Sequence, residues 1–176
     1  LPSSFEDYLA SLGQKFRRNI RKAFRDAKAA GLTICELHPQ NLDPVELPDI
    51  YFHLLMCRHS DKELSEQILA QSFVGEVLPA MFRKGSMRVF AVIQEGRIIA
   101  VLLALVAAKG FLAWSSGFLT GSERWSPGTM LFAFAIKQAI DAGLREFDFG
   151  EGDEAYKQHW TNGEYRVTEV ELIPKC

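Results

Sequence analysis

Apolar residues recur at helical spacing over the first thirty positions, and the same period returns in four later segments. The predicted helices cover residues 4–12, 14–30, 49–59, 64–84, 127–142 and 153–161. The second helix has a narrow apolar stripe that includes Phe16, Ile20 and Phe24, and basic residues occupy its opposite face. These segments therefore predict amphipathic helices that each bury one face.

Between residues 87 and 119 the period changes, and apolar, β-branched and aromatic residues follow one another closely. Three strands separated by the tight turns Glu95-Gly96 and Lys109-Gly110 are predicted, which makes an antiparallel meander. Its middle strand is apolar at successive positions, so helices are expected to cover both of its faces. The predicted strands cover residues 32–37, 87–94, 97–108, 111–119, 146–149 and 165–173. The predicted fold is α+β, with helices flanking a mostly antiparallel sheet.

The length of 176 residues predicts one compact domain over residues 1–176. With a net charge of −2, the chain as a whole lacks the excess of positive charge typical of nucleic-acid-binding proteins. The first thirty residues hold seven bases and three acids, and the remainder holds thirteen bases and nineteen acids. The basic face of helix 14–30 is interpreted as solvated, with Lys and Arg stems over apolar surface. Contact with a polyanion such as RNA, anionic lipid or a substrate phosphate is the alternative.

The cysteine pattern and the hydropathy of the chain indicate where in the cell the protein is found. Cys35, Cys57 and Cys176 form no Cys-x-x-Cys pair, which favours a reducing compartment and predicts a cytoplasmic protein. The longest apolar run, residues 98–108, is too short to span a bilayer, and no signal-peptide pattern is present. Because the chain begins at Leu1 rather than Met, a fragment of a longer chain is predicted.

A metal site is not predicted. His53 and Cys57 lie one helical turn apart, and His59 follows closely. Donors at this spacing match no zinc pattern, and the sequence offers no evident fourth ligand.

The helix start at residues 126–130 has the features of an anion-binding site. Ser126 is predicted as the N-cap, and Pro127 suits the first helical position. The amides that follow point out of the helix, where its dipole favours a phosphate, and Gly128 lets a ligand approach the backbone. The alternative is a capped core helix without a ligand. The candidate ligand-binding residues here are Arg124, Ser126, Gly128, Thr129 and Met130.

An acidic, glycine-rich turn late in the chain holds the candidate catalytic groups. Asp148 is a candidate base or orienting carboxylate, and Tyr156 is a candidate general acid for a thiolate leaving group. Lys157 is expected to pair with Asp148 or Asp153, or to neutralise a developing oxyanion. His159 is a reserve general base. The alternative is an acidic surface turn with a half-buried tyrosine and a surface lysine.

Six segments follow one another in a recognisable order. They are the basic helix Leu12–Lys22, Tyr51–Arg58, Phe82–Gly85, the meander Val89–Leu119, Ser126–Leu131 and Phe147–Lys157. In this order they resemble the GNAT acyltransferase superfamily, specifically its CelD/FemAB-like branch, and the last segment is the most specific. The resemblance implies a GNAT fold, a splayed and mostly antiparallel sheet flanked by helices.

Such a fold implies a β-bulge that opens a V between two central strands, mapped here to Trp114–Leu119 and Glu146–Phe149. The resemblance implies that the acyl-thioester arm lies in this V and that the donor pyrophosphate binds at the helix start described above. Tyr156 falls at the position that the general acid usually occupies in the family. The family's usual donor-binding loop is a Gln or Arg followed by Gly-x-Gly/Ala. In this sequence only Arg124 and Gly128 correspond to it. The predicted substrate contacts are Trp114, Phe118 and His159.

The predicted activity is transfer of an acyl group from acetyl-CoA or another acyl-CoA to an amine by direct attack, with no tightly bound cofactor. The acceptor is expected to be a small molecule or an envelope precursor. The first alternative is an aminoacyl transferase that uses aminoacyl-tRNA, which the basic helix favours. The second is a non-catalytic GNAT-fold module in polysaccharide or envelope biosynthesis, which the degenerate donor loop favours. The sequence gives no prediction of oligomeric state.

Overall fold

The computed structural model describes residues 1–57 and 64–166, without the side chains of residues 64–73. The α-helices in these ranges are α1 (Phe5–Ser11), α2 (Gln14–Ala29), α3 (Leu47–Met56), α4 (Leu64–Lys84) and α5 (Pro127–Asp141). The strands are β1 (Thr33–Leu37), β2 (Met87–Gln94), β3 (Arg97–Val106), β4 (Gly110–Phe118) and β5 (Glu146–Asp148). Two short 3-10 turns lie at Glu123–Trp125 and Lys157–His159.

The described strands form one sheet in the order β1-β2-β3-β4-β5. Neighbours from β1 to β4 pair antiparallel, and β4 pairs parallel with β5. The predicted meander is confirmed, and β2 has the predicted bounds. The predicted α+β class, with helices on a mostly antiparallel sheet, is confirmed as well.

Strand β3 is buried on both faces, as its continuous apolar sequence predicted. Val101 and Leu103 pack into a cluster with residues of α3 and α4. Ala100 and Leu102 point to the other face and pack with residues of α5. Side chains alternate between faces along a strand, so an apolar residue is needed at every position when both faces are covered.

The connection from β4 through α5 to β5 places one helix end beside the site discussed below. Because β4 and β5 are parallel, α5 must run back along the sheet between them. Its first residues therefore lie at the edge where β4 and β5 have their carboxyl ends. In open sheets with such crossovers, this edge is where ligands bind.

The predicted helix over residues 153–161 is wrong. The structure has a single 3-10 turn at Lys157–His159, closed by hydrogen bonds such as Trp160 N to Lys157 O at 2.9 Å. The Tyr8 hydroxyl donates to the Trp160 carbonyl oxygen at 2.8 Å, and the Trp160 side chain is buried. These long-range contacts fix the segment in a shape that its local helix propensity does not determine. The last predicted strand, residues 165–173, falls outside the described residues from residue 167 onward.

Gly110 is required by the close approach of β4 to β5. A Cβ at this position would lie 1.9 Å from the Glu146 carbonyl oxygen, so Gly110→Ala is expected to lower the free energy of unfolding by about 3 kcal/mol. Gly75→Ala is the matched control, because Gly75 is exposed in α4 with no atom within 4 Å of an added Cβ. It should raise stability by roughly 0.5–1 kcal/mol. Urea denaturation measures both, and equal effects would contradict the packing of these strands.

Candidate active site

Strands β4 and β5 separate soon after they begin to pair. Their register runs from Gly110 opposite Glu146 to Leu112 opposite Asp148. Beyond Leu112, β4 continues to Phe118 with no strand partner on this side among the described residues. On its other side β4 contains a bulge, because Ala113 pairs with Ala104 while Ser115 pairs with Leu103. Trp114 is therefore the extra residue. A bulge bends its strand and increases the local twist, which fits the opening between β4 and β5.

A cleft of about 450 Å³ occupies this opening. The β4 side is lined by residues 112–116 and the β5 side by the turn after Asp148. Gly150 passes close to β4, since a Cβ there would lie 3.5 Å from the Ala113 carbonyl oxygen. The cleft thus contains side chains from two segments that the sequence predicted to form a V.

Asp148 accepts two hydrogen bonds at the mouth of the turn. Its Oδ1 accepts from the Gly150 amide at 2.8 Å, and its Oδ2 accepts from the Tyr165 hydroxyl. That hydrogen bond, with the charge of Asp148, raises the pKa of the exposed Tyr165 phenol. Sequence reasoning missed Tyr165, because nothing local links it to a carboxylate 17 residues earlier.

Lys157 is buried at 8% exposure and holds the acidic turn together. Its ammonium donates to the carbonyl oxygens of Gly150 at 3.3 Å, Glu151, and Gly152 at 3.5 Å. It also pairs with Glu154 Oε2 at 2.7 Å. The predicted pairing with Asp148 or Asp153 is therefore wrong. The turn wraps around the lysine instead of presenting it from a helix, so backbone oxygens surround its ammonium.

Tyr156 lies in the cleft with 41% of its surface exposed. Its ring stacks on Phe132 of α5, with centroids 5.9 Å apart. Trp114 also lies in the cleft, 42% exposed, and stacks on Tyr51 of α3 at 6.0 Å. The structure thus brings together Tyr156, Asp148, Lys157 and Trp114, as the sequence predicted.

Two predicted substrate contacts lie elsewhere. Phe118 packs against the buried cluster between α5 and the sheet, away from the lining of the cleft. The exposed His159 places its ring 5.3 Å from that of Phe16 in α2. His159 was predicted from helical spacing relative to Tyr156, and Phe118 from the V that the family resemblance implied at Trp114–Leu119. The 3-10 turn rotates His159 away from Tyr156, and the bulge at Trp114 changes which residues of β4 face the opening.

The start of α5 partly matches the predicted anion site. Pro127 occupies the first turn as predicted, but the Ser126 side chain makes no capping hydrogen bond, because its backbone is left-handed at φ 53°. The Met130 side chain is fully buried and its amide donates to the Ser126 carbonyl oxygen at 3.2 Å. Ser126 is thus the N-cap residue of α5 as predicted, although its side chain caps nothing, and the predicted free amide of Met130 is wrong.

The amides of Gly128 and Thr129 are left as the available donors, since neither has an acceptor among the described residues. Space above Gly128 is open, with no atom within 4 Å of an added Cβ. The Arg124 guanidinium lies 3.9 Å from the centroid of the Trp125 ring and is exposed. Two amides at a helix start, with an arginine nearby in sequence, can bind an anion.

Tyr51 and Ser115 form a contact that the sequence did not indicate. The Tyr51 hydroxyl lies 2.9 Å from Ser115 Oγ, at the β4 wall of the cleft. These residues are 64 positions apart, and no periodic pattern connects them. Only the packing of α3 on β4 brings them together.

The described residues contain neither a metal-binding cluster nor a helix that could span a membrane. No group of three or more His, Cys, Asp or Glu side chains within residues 1–57 and 64–166 is arranged to hold a metal ion. In the same part of the chain, every helix is too short or too polar to cross a bilayer.

Comparison with known proteins agrees with this geometry. Residues 14–158 match the acetyltransferase (GNAT) domain family, and no curated protein matches the chain in sequence. FemX has a similar fold, with a TM-score of 0.66 at 12% identity over 89% of this chain and 56% of FemX. An aminoglycoside acetyltransferase from an uncultured soil metagenomic sample superposes with a TM-score of 0.54 at 17% identity, over 82% of this chain and 97% of that chain.

A third structure of similar fold is the C-terminal domain of a putative lysylphosphatidylglycerol synthetase from Agrobacterium fabrum. Its TM-score is 0.52 at 19% identity, over 85% of this chain and 46% of that chain. The family match covers most of the chain, which therefore belongs to the GNAT acetyltransferase family. The resemblance to the GNAT superfamily found in the sequence is confirmed, and the class of the protein is that of an acyltransferase.

Proposed function

We propose that the protein transfers an acyl group from an acyl-CoA, such as acetyl-CoA, to an amine. The observation that carries this proposal is the opening of β4 from β5 beyond Leu112, with Tyr156 inside the cleft and the start of α5 at the open edge. An extended thioester arm fits along the edge of β4 that faces β5 beyond Leu112, where backbone groups lack a strand partner among the described residues and are available for hydrogen bonds. Its pyrophosphate would accept from the amides of Gly128 and Thr129, with Arg124 adding positive charge.

The chemistry is proposed as direct attack. The amine nitrogen forms a bond to the acyl carbon, the carbon–sulfur bond breaks, and Tyr156 protonates the departing thiolate. Asp148 assists removal of the amine proton directly or through a water molecule. Lys157 holds the turn that positions Asp148 and Tyr156, because its ammonium ties the turn's carbonyl oxygens together.

The charge of the cleft suits an amine acceptor. Asp148, Glu151 and Glu154 line it, and Lys157 is the one basic side chain among its described lining residues. A negative cleft attracts a protonated amine and raises its local concentration. We propose a small molecule or an envelope precursor as the acceptor. A cytoplasmic location belongs to the proposal and is supported by the free thiols of Cys35 and Cys57.

A thermal-shift series with acetyl-CoA, longer acyl-CoAs and free CoA tests the donor. A ligand at a hundred times its dissociation constant should stabilise the protein by about 2.7 kcal/mol, which raises Tm by roughly 5–10 °C for a domain of this size. Free CoA should give part of the shift, because it shares the pyrophosphate. No shift with any thioester would overturn an acyl-CoA donor and favour aminoacyl-tRNA or a non-catalytic role.

A further inference from the structure

Tyr51 of α3 and Ser115 of β4 form a hydrogen-bonded pair beside the cleft. Tyr51 Oη lies 2.9 Å from Ser115 Oγ, and Tyr51 is 5% exposed. Ser115 is half-buried and lines the cleft. The reaction described above uses neither side chain, although both lie at the strand along which the thioester would bind.

The packing of α3 on β4 fixes this pair. A Cβ at Gly117 would lie 2.7 Å from the Leu54 carbonyl carbon, so the α3 backbone lies directly on β4. Tyr51 precedes Leu54 by three residues and therefore points from the same face of α3. Its ring also stacks on the bulged Trp114, which limits its motion. The position of the Tyr51 hydroxyl is thus determined by contacts on both sides of its ring.

The hydrogen bond with Tyr51 determines where the Ser115 proton points. Burial raises the pKa of Tyr51, so its phenol is protonated at neutral pH. The only acceptor found for that proton among the described residues is Ser115 Oγ, and a buried donor without an acceptor is strongly disfavoured. Tyr51 therefore donates and Ser115 accepts. Ser115 has no acceptor of its own among the described residues, which leaves its proton for a group in the cleft.

We propose that Ser115 donates a hydrogen bond to the carbonyl oxygen of the bound acyl group, and that Tyr51 is a positioning residue for Ser115. This inference rests on the proposed acyl transfer. Negative charge grows on that oxygen as the amine attacks, and a fixed donor aimed at it stabilises the transition state. Ser115 keeps its proton throughout. Because its oxygen accepts from Tyr51, its hydroxyl is a stronger donor than an isolated serine would be.

Steady-state kinetics of four variants test the proposal. Ser115→Ala should lower kcat by about 10-fold, with less change in KM for the acyl-CoA. Tyr51→Phe should lower kcat by roughly 3-fold, and the double variant should be no slower than Ser115→Ala, since Tyr51 acts through Ser115. Ser115→Thr retains a hydroxyl and should recover part of the loss. Ser86→Ala is the control, because it removes a part-buried serine hydroxyl that donates to the Met81 carbonyl oxygen instead.

A spectroscopic measurement separates this role from a structural one. Infrared difference spectra of bound [¹³C]acetyl-CoA, recorded well below the melting temperature of each protein, should show a lower carbonyl stretching frequency in the wild type than in Ser115→Ala. If the wild type binds and transfers the acyl group while Ser115→Ala keeps both kcat and that frequency, the inference is overturned and the proposed function stands. Additive losses in the double variant would overturn the role of Tyr51. A wild type that binds no acyl-CoA would overturn both proposals together.

Discussion

Tyr156→Phe is expected to lower kcat by about 10²–10³-fold while the dissociation constant for the acyl-CoA stays within about twofold, because general acid catalysis acts on the chemical step. The phenyl ring can still stack on Phe132, so the variant loses the hydroxyl and little else. Single-turnover measurements with saturating donor would isolate the chemical step. Donor binding measured by calorimetry would show whether the ground state is unchanged.

Tyr165→Phe is the control for that experiment. Tyr165 also lines the cleft, but its hydroxyl donates to Asp148 and its pKa is raised by that contact, which makes it a poor proton donor to a thiolate. Its loss should slow kcat by less than about 10-fold through the freed Asp148 carboxylate. If Tyr165→Phe were the slower of the two variants, the general acid would be Tyr165, and Tyr156 would serve only to pack against α5.

Gly128→Asp is expected to weaken binding of acyl-CoA by about 100-fold or more, because it places a carboxylate beside the proposed pyrophosphate. The substitution should leave the fold intact. Gly128 has ordinary backbone angles, its Cβ would meet no atom within 4 Å, and an acidic residue in the first turn of a helix is favourable. The thermal shift produced by acyl-CoA should therefore disappear, while the Tm of the unliganded protein stays the same or rises.

Gly128→Asn separates charge from size in this experiment. Asparagine has nearly the shape of aspartate without its charge, so binding should weaken by less than about 10-fold. Equal losses for the two variants would point to steric blocking of the open space above Gly128. Normal donor binding by Gly128→Asp would show that the phosphates bind elsewhere, and it would remove the start of α5 from the proposed site.

The sheet could be predicted because the burial of each strand is reflected in the apolar pattern of its own sequence. Strand β2 was placed at its observed bounds by its apolar sequence and by the Glu95-Gly96 turn that follows it. Burial of β3 on two faces has a local signature as well, since both its odd and its even positions must be apolar. The short strand β5 was also predicted, at residues 146–149 against the observed Glu146–Asp148.

Local sequence predicted the site where its residues are neighbours in the chain, and the family resemblance added Trp114 from a distant strand. Asp148 and Tyr156 were found because one glycine-rich turn contains both. The pairs Tyr51–Ser115 and Asp148–Tyr165 could not be found, since each depends on how separate elements pack. The segment after Gly152 was misjudged for a related reason: its shape depends on the burial of Trp160 and Lys157, which is a property of the folded chain.

The contacts around Lys157 have a further consequence if the protein uses an acyl-CoA thioester as proposed. A lysine amine in such a cleft would be a competing acceptor, able to capture the acyl group intended for the substrate. Acylation requires an unprotonated nitrogen with an exposed lone pair. The Lys157 nitrogen instead directs its protons to Glu154 and to the carbonyl oxygens of the turn, with its side chain 10% exposed. The contacts that shape the turn therefore also protect the catalyst from its own reagent.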